Sequence, residues 1–145
     1  MSEETKEEVK KEKPIVLIAE DSDANRKVIS HILLKLDFDV FAAIDGQAAW
    51  DYLKSNSQIP VLIISDIMMP NMGGFDLLKL VREEEKFKSI PFVFMTAALE
   101  KDYVIQAKTM KVDGYILKPV TSERIEKKIF ELFPDMKRRK MTKIA

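Results

Sequence analysis

The chain has 145 residues, of which 46% are hydrophobic and 8% aromatic, and these values favour one globular domain with a single core. Lys plus Arg and Asp plus Glu both total 24, so no net charge points to nucleic acid or a membrane surface, and no apolar run reaches the roughly 18 residues that span a bilayer. The lack of cysteine excludes a disulfide framework and a thiolate metal site, and with no signal peptide it favours a cytoplasmic protein.

The two ends of the chain differ in composition from the middle. Residues 1–13, MSEETKEEVKKEK, hold five glutamates and four lysines, so this segment cannot bury itself and is predicted to be a disordered charged tail. Residues 134–145, PDMKRRKMTKIA, hold five basic residues and one aspartate. This basic C-terminal extension either frames partner contacts or continues the last helix, since basic residues favour helix C-termini. The folded domain is therefore placed at 14–133.

Between these ends, apolar runs of strand length alternate with amphipathic stretches. The runs are IVLIA (15–19), FDVFAA (38–43), VLIIS (61–65), PFVFMT (91–96) and YILK (115–118). The first and last helices are predicted from apolar residues at helical spacing, namely Ile29, Ile32, Leu33 and Leu36, then Ile125, Ile129, Leu132 and Phe133. Weaker helical patterns cover Gln47 to Lys54, Phe75 to Glu85 and Leu99 to Met110. Strict alternation predicts an α/β fold with a parallel sheet, and the unbroken apolar runs predict strands covered on both faces.

Polar side chains stand where the predicted strands end. They are Glu20 and Asp21 after the first strand, Asp66 after the third, Thr96 and Ala97 at the fourth, and Lys118 and Pro119 at the fifth. Because parallel strands end at one edge of a sheet, three carboxylates, a hydroxyl and an ammonium are expected to converge. An unpaired carboxylate removed from water costs several kcal/mol, so Asp66 needs a compensating charge nearby.

This ordered set of residues resembles the receiver domain of two-component response regulators, from Pro14 to about Phe133. The motifs are Glu20-Asp21, Asp66 with Pro70 and Gly74 after it, Thr96-Ala97 and Lys118-Pro119, at family-like spacings. The resemblance implies a flavodoxin-like, doubly wound five-stranded parallel sheet of order 2-1-3-4-5 with five helices, in a stand-alone regulator of the chemotaxis type. The family often has Asp-Asp where Glu20-Asp21 stands, and this departure bears on magnesium affinity.

A carboxylate can accept a phosphoryl group as an acyl phosphate, which makes Asp66 the candidate phosphoacceptor. Because the incoming group is anionic, a hard divalent cation must bridge it to the acids, and Mg²⁺ suits oxygen ligands. Asp21 and Asp66 are expected to bind Mg²⁺ directly and Glu20 directly or through water, and the resemblance adds the backbone carbonyl of Met68. Lys118 and the Thr96 hydroxyl would compensate charge on the phosphoryl oxygens and complete the catalytic set with Asp66.

The resemblance also implies a conformational switch. The hydroxyl of Thr96 would move toward the phosphoryl group, and the aromatic side chain of Tyr115 would swing inward behind it. Ala97 would leave room for phosphoryl entry, and Pro119 would follow a cis peptide bond that aims Lys118 into the site. The remodelled partner face would comprise the fourth helix, the fifth strand and the fifth helix.

The function predicted from the sequence is that of a stand-alone response regulator, which is not an enzyme beyond its own phosphorylation and dephosphorylation. Its partners would be a sensor histidine kinase and either a downstream protein target or a phosphotransfer protein, and it would be a monomer or a weak phosphorylation-dependent dimer. Met68 and Ala98 occupy positions that tune hydrolysis in the family, and neither orients a water strongly, which predicts slow self-dephosphorylation. His31 is predicted to face solvent.

Four other functions are alternatives to this prediction. A phosphorelay shuttle would pass the phosphoryl group onward to a histidine phosphotransfer protein, and the sequence does not distinguish it from an effector-binding regulator. A haloacid-dehalogenase-type phosphatase needs a second aspartate where Met68 stands, and a flavodoxin-like carrier needs an anion-binding loop where EDSDAN is acidic. A degenerate receiver that binds constitutively would have no need of the four site residues Asp21, Asp66, Thr96 and Lys118.

Overall fold

The structure is a computed structural model that describes residues 13–97, 105–106 and 108–136. One sheet contains β1 (Ile15–Ala19), β2 (Asp39–Ala43), β3 (Leu62–Asp66), β4 (Phe92–Thr96) and β5 (Gly114–Leu117). All neighbouring strands are parallel and their order is β2-β1-β3-β4-β5, which confirms the predicted sheet. The connections from β1 to β2 and from β2 to β3 run in opposite directions along the sheet. A ligand is therefore expected in the crevice at the carboxyl ends of β1 and β3.

Helices connect the strands and cover both faces of the sheet. They include α1 (Asp23–Lys35), α2 (Gly46–Ser55) and α3 (Gly74–Glu83), then α4, to which the helical residues 105–106 and 108–109 belong, and α5 (Ser122–Leu132). Ser22, Asp45 and Thr121 cap α1, α2 and α5 by accepting a backbone N–H three residues further on, at 3.3, 2.8 and 3.2 Å. These side chains satisfy amide groups that a helix start leaves unpaired.

The sheet separates two apolar layers. Leu17 and Phe94 belong to the layer shared with α2 and α3, whereas Ile18 and Met95 belong to the layer shared with α1 and α5. Because neighbouring residues of one strand point to opposite faces, each central strand supplies both layers. This arrangement confirms that the runs of β1, β3 and β4 are covered on both sides, whereas the edge strand β2 is largely exposed.

The third helix ends earlier than its sequence pattern predicts. It was expected to reach Glu85, but it ends at Glu83, and that prediction was wrong by two residues. The backbone becomes extended at Glu84, with φ −94° and ψ 122°. The chain then turns, and the buried side chains of Phe87 and Ile90 enter the same apolar layer as α3. Burial of these two side chains outweighs continued helix formation in a run of charged residues.

Several predicted features fall wholly or partly outside the described residues. They are the N-terminal tail up to residue 12, Ala98, the first part of the helix predicted over 99–110, and residues 137–145 of the basic extension. Residues 134–136 are helical, and Met136 packs against the layer that holds α1 and α5. Within the described part of the chain, no helix combines the length and apolarity needed to cross a membrane.

Candidate functional site

Asp66 is the last residue of β3, and its carboxylate forms an ion pair with Lys118. The Lys118 ammonium donates to Asp66 Oδ2 at 2.9 Å, and the Ile67 N–H donates to Oδ1 at 2.8 Å. The side chain of Asp66 is 14% exposed and that of Lys118 is 22% exposed, so both are reachable from solvent. The compensating cation that the sequence required therefore comes from the end of β5, 52 positions away.

Glu20 follows β1, and its carboxylate is the most buried acid of the site, with 1% of the side chain exposed. It accepts from the Ser22 N–H at 3.1 Å and from the Asn25 amide at 3.3 Å, and it lies 3.1 Å from the ammonium of Lys118. Burial raises the pKa of Glu20, and the charge of Asp66 adds to this, although the Ser22 N–H and Lys118 act in the opposite direction.

The ammonium of Lys118 thus bridges two carboxylates. Burial by itself lowers the pKa of Lys118, but the hydrogen bonds and charges of Asp66 and Glu20 outweigh it, and the pKa is raised. The lysine stays protonated at neutral pH and serves as a fixed positive charge.

Three carboxylates form a cluster that suits a hard cation. Glu20, Asp21 and Asp66 each offer an oxygen, and these oxygens lie within 4.8 Å of one another. Ligands held at about 2.1 Å from one Mg²⁺ ion lie at most about 4.2 Å apart, so small side-chain rotations bring this set into range. With all groups ionised, three carboxylates and the one ammonium of Lys118 leave a formal charge of −2, which a divalent cation would neutralise. The donor set therefore fits Mg²⁺, with Asp21 on the exposed side.

Thr96, Ala97 and Pro119 lie at the same edge of the sheet. Asp66 pairs with Met95 in the register of β3 and β4, so Thr96 lies one residue further along β4. Thr96 is buried, and its backbone carbonyl accepts the Lys118 N–H at 2.8 Å. The Lys118–Pro119 peptide bond is cis, as the resemblance implied. Ala97 is exposed directly after the strand.

Two further predicted residues lie beside this cluster. Tyr115 is opposite Phe94 in the register of β4 and β5 and packs half-buried against the layer that holds α2 and α3, and burial raises the pKa of its phenol. Met68 lies in the loop after β3, and it is 69% exposed. The switch role of Tyr115 and the metal-ligand role of Met68 stay predictions. His31 is exposed on α1, as expected.

The sequence and the whole fold agree with one protein family. A model of the response regulator receiver domain family matches residues 16–130. The chain belongs to this family.

Known proteins are similar to the chain over most of its length. Chemotaxis protein CheY1 of Helicobacter pylori is 38% identical over 115 residues, which cover 79% of this chain and 92% of that protein. The 3',5'-cyclic-nucleotide phosphodiesterase regA of Dictyostelium discoideum is 33% identical over 116 residues, but the match covers only 14% of its length. The solved structure of chemotaxis response regulator CheY4 of Vibrio cholerae has a TM-score of 0.76 and 28% identity, with coverage of 83% of this chain and 99% of that one.

Some contacts of the receiver site involve residues that the sequence did not single out. Asn25 donates to Glu20, and the guanidinium of Arg26 donates to the Glu20 backbone carbonyl at 2.6 Å. Asn71 donates to Asp45 at 2.7 Å and connects the loop after β3 with the start of α2. Asn71 has φ 65°, and proline followed by asparagine is a sequence pattern that would predict such a conformation.

Gly74 allows the receiver loop after β3 to close against its own strand. Its N–H donates to the Ile67 carbonyl at 2.8 Å. A Cβ atom at this position would lie 2.2 Å from the Asp66 carbonyl oxygen and 2.9 Å from a ring carbon of Phe94. No real side-chain carbon approaches a backbone oxygen so closely, so only glycine fits without movement of Asp66.

Gly74→Ala is therefore expected to lower the free energy of unfolding by about 1 to 3 kcal/mol, the usual cost of overpacking. Alanine favours a helix over glycine by about 1 kcal/mol, so helix propensity alone predicts the opposite sign. Urea denaturation measures the change. Gly114→Ala is the control, because its Cβ would meet only the flexible end of Lys128. Equal losses in both variants would contradict the proposed contact.

Proposed function

We propose that this receiver accepts a phosphoryl group on Asp66 from a sensor histidine kinase, with Mg²⁺ held by Glu20, Asp21 and Asp66. The observation that carries the proposal is the Lys118 ammonium 2.9 Å from Asp66 Oδ2 within a cluster of three carboxylates. A buried ion pair needs no further acids around it for stability, and each added carboxylate raises its cost. Additional carboxylates around one partly exposed carboxylate are expected at a site that binds a cation together with an anionic group.

The proposed reaction is the transfer of one phosphoryl group between two nucleophiles. An Asp66 carboxylate oxygen forms a bond to phosphorus as the bond from phosphorus to the donor breaks. With a phosphohistidine donor, the bonding electrons return to the imidazole nitrogen, and the product is an acyl phosphate. A bound Mg²⁺ would draw negative charge from the phosphoryl oxygens. Lys118 would transfer its hydrogen bond from Asp66 to a phosphoryl oxygen, and the Thr96 hydroxyl would donate to another.

Phosphorylation would change the positions of the Thr96 and Tyr115 side chains. A new dianionic group beside Thr96 favours the arrangement in which the hydroxyl approaches it, and a ligand shifts an equilibrium only through such differential contacts. Tyr115 is half-buried on β5 against the adjoining apolar layer, and it would move further inward behind Thr96. The face of α4, β5 and α5 would then bind a downstream protein or a phosphotransfer protein. The receiver domain would span 14–133, flanked by the tail at 1–13 and the basic extension at 134–145.

The experiment that tests the proposal is phosphoryl labelling of the purified chain. The protein is incubated with acetyl phosphate and Mg²⁺, with and without excess EDTA, and intact mass and peptide mass spectrometry locate the added phosphoryl group. Labelling of the peptide that contains Asp66, dependent on the metal, is the expected result. Absence of label from acetyl phosphate and from any histidine kinase in a purified panel would refute the proposal.

Slow loss of the phosphoryl group is a separate prediction. The exposed Met68 side chain cannot hold an attacking water by a strong hydrogen bond, and Ala98, which lies outside the described residues, has no polar side-chain group. The acyl phosphate is therefore expected to persist for minutes rather than seconds in Mg²⁺. Decay of the labelled mass after removal of acetyl phosphate measures this, and Met68→Asn, which supplies an amide, is expected to shorten the lifetime. Complete loss within a few seconds in the wild type would contradict the prediction.

A further inference from the structure

The turn between β2 and α2 contacts both of the acid-bearing segments. Asp45 is 3% exposed in this turn, and its Oδ2 accepts from the Asn71 amide of the loop after β3 at 2.7 Å. At the other side of the turn, the Ala43 carbonyl accepts the Glu20 N–H at 3.1 Å. One short segment therefore holds the residue that follows β1 and the loop that follows Asp66.

The loop after Asp66 is closed by backbone contacts as well. The Gly46 N–H donates to the Met72 carbonyl at 3.0 Å, and the Gly74 N–H donates to the Ile67 carbonyl at 2.8 Å. A Cβ on Gly46 would lie 2.5 Å from the Met72 oxygen, so α2 and the loop approach as closely as glycine permits. Asn71 adds a side-chain hydrogen bond at the tip of the loop.

Asp45 does more than a helix cap requires. Its Oδ1 accepts the Ala48 N–H at 2.8 Å, which is the capping bond of α2. Hydroxyl side chains, Ser22 and Thr121, perform the same capping at α1 and α5. A buried carboxylate costs more to desolvate than a hydroxyl, and its second oxygen is the group that binds Asn71. The use of aspartate at this cap is explained by the loop contact.

We propose that Asp45 and Asn71 are positioning residues that fix the loop over residues 67–73 and thereby strengthen Mg²⁺ binding. This inference rests on the proposed function, in which the acid cluster binds the metal. The loop begins directly after Asp66 and carries Met68. A loop that is already ordered loses less conformational entropy when the metal binds, so the affinity is higher.

Two substitutions remove the hydrogen bond between Asp45 and Asn71. They keep the cap of α2 and the backbone conformation of residue 71. Asp45→Ser keeps an oxygen that caps α2 but has no second oxygen for Asn71. Asn71→Gly removes the amide and tolerates the φ of 65°. Isothermal titration calorimetry with MgCl₂ measures affinity, and urea denaturation measures stability. Each variant is expected to bind Mg²⁺ about three- to tenfold more weakly than the wild type, which is at or below the lower end of the effects of residues that contact metal ligands directly. The double variant is expected to bind like the weaker single variant.

Asp51→Ser is the matched control, because Asp51 is an exposed aspartate on α2, the helix that Asp45 caps. It is expected to bind Mg²⁺ as the wild type does. Affinities within twofold of the wild type in Asp45→Ser and Asn71→Gly, or fully additive losses in the double variant, would overturn the inference, whatever the change in stability. If Asp45→Ser does not fold, Asn71→Gly decides alone. A wild type that binds no Mg²⁺ would instead refute the metal site of the proposed function, and this inference with it.

Discussion

Asp66→Asn is expected to lower the rate of phosphoryl labelling by acetyl phosphate and Mg²⁺ at least about a hundredfold, because an amide cannot act as the nucleophile that a carboxylate is. The fold should persist. The amide oxygen can still accept the Ile67 N–H that Asp66 Oδ1 accepts at 2.8 Å, and Lys118 keeps Glu20 as a partner at 3.1 Å. We therefore expect the free energy of unfolding to change by no more than about 1 kcal/mol.

The same variant tests whether the acid cluster binds metal. Removal of one of three carboxylates should weaken Mg²⁺ binding, and calorimetry on the unphosphorylated protein measures that change independently of labelling. Asp76→Asn is the control, since Asp76 is an exposed carboxylate in the first turn of α3. It should label and bind Mg²⁺ like the wild type. If Asp66→Asn is labelled at the wild-type rate, or the label of the wild type lies on another residue, Asp66 is not the acceptor.

The sheet could be predicted from the sequence because each central strand is an unbroken apolar run. IVLIA coincides with β1, the runs for β2 and β4 begin one residue early, and the runs for β3 and β5 are displaced by one residue at both ends. A parallel sheet has all its carboxyl strand ends at one edge, so the alternation alone placed Glu20, Asp66 and Lys118 at that edge. The order of the strands did not follow from periodicity and came from the family resemblance. The early end of α3 was missed because burial of Phe87 and Ile90 is a tertiary effect.

The details of the site depend on contacts between distant residues, which periodicity does not reveal. Asp45 and Asn71 are 26 positions apart, and each alone resembles an ordinary capping or turn residue. Glu20 was expected to serve the metal, yet its carboxylate also contacts Asn25 and Lys118. Two neighbours in the chain, Glu20 and Asp21, therefore differ in environment, one buried and one exposed.

Lys118→Met is expected to have opposite effects on metal binding and on labelling. The ammonium lies 2.9 Å from Asp66 and 3.1 Å from Glu20. Its removal takes a positive charge away from the cation site, so Mg²⁺ should bind about three- to tenfold more tightly. The phosphoryl group would lose a hydrogen-bond donor and a compensating charge, and labelling by acetyl phosphate should slow about a hundredfold. A residue that served packing alone would not produce these opposite signs.

The same substitution should also destabilise the metal-free protein. It leaves the carboxylate of Glu20, 1% exposed, without its cation. Breaking a buried pair costs about 3 to 5 kcal/mol, but Lys118 and Asp66 are partly exposed, so we expect a loss of about 2 kcal/mol. Because the proposed Mg²⁺ site exists only in the folded state, millimolar MgCl₂ should restore more stability to the variant than to the wild type. Urea denaturation with and without the metal measures both quantities.

Lys128→Met provides the control for these measurements, because the side chains of Lys128 and Lys118 are both 22% exposed. Lys128 forms an ion pair at 3.1 Å with Glu131, whose side chain is 49% exposed. A surface pair of this kind contributes about 1 kcal/mol or less. Its loss should leave Mg²⁺ affinity and labelling unchanged. Two results would contradict this role of Lys118. They are weaker Mg²⁺ binding by Lys118→Met than by the wild type, and phosphoryl labelling of Lys118→Met at the wild-type rate.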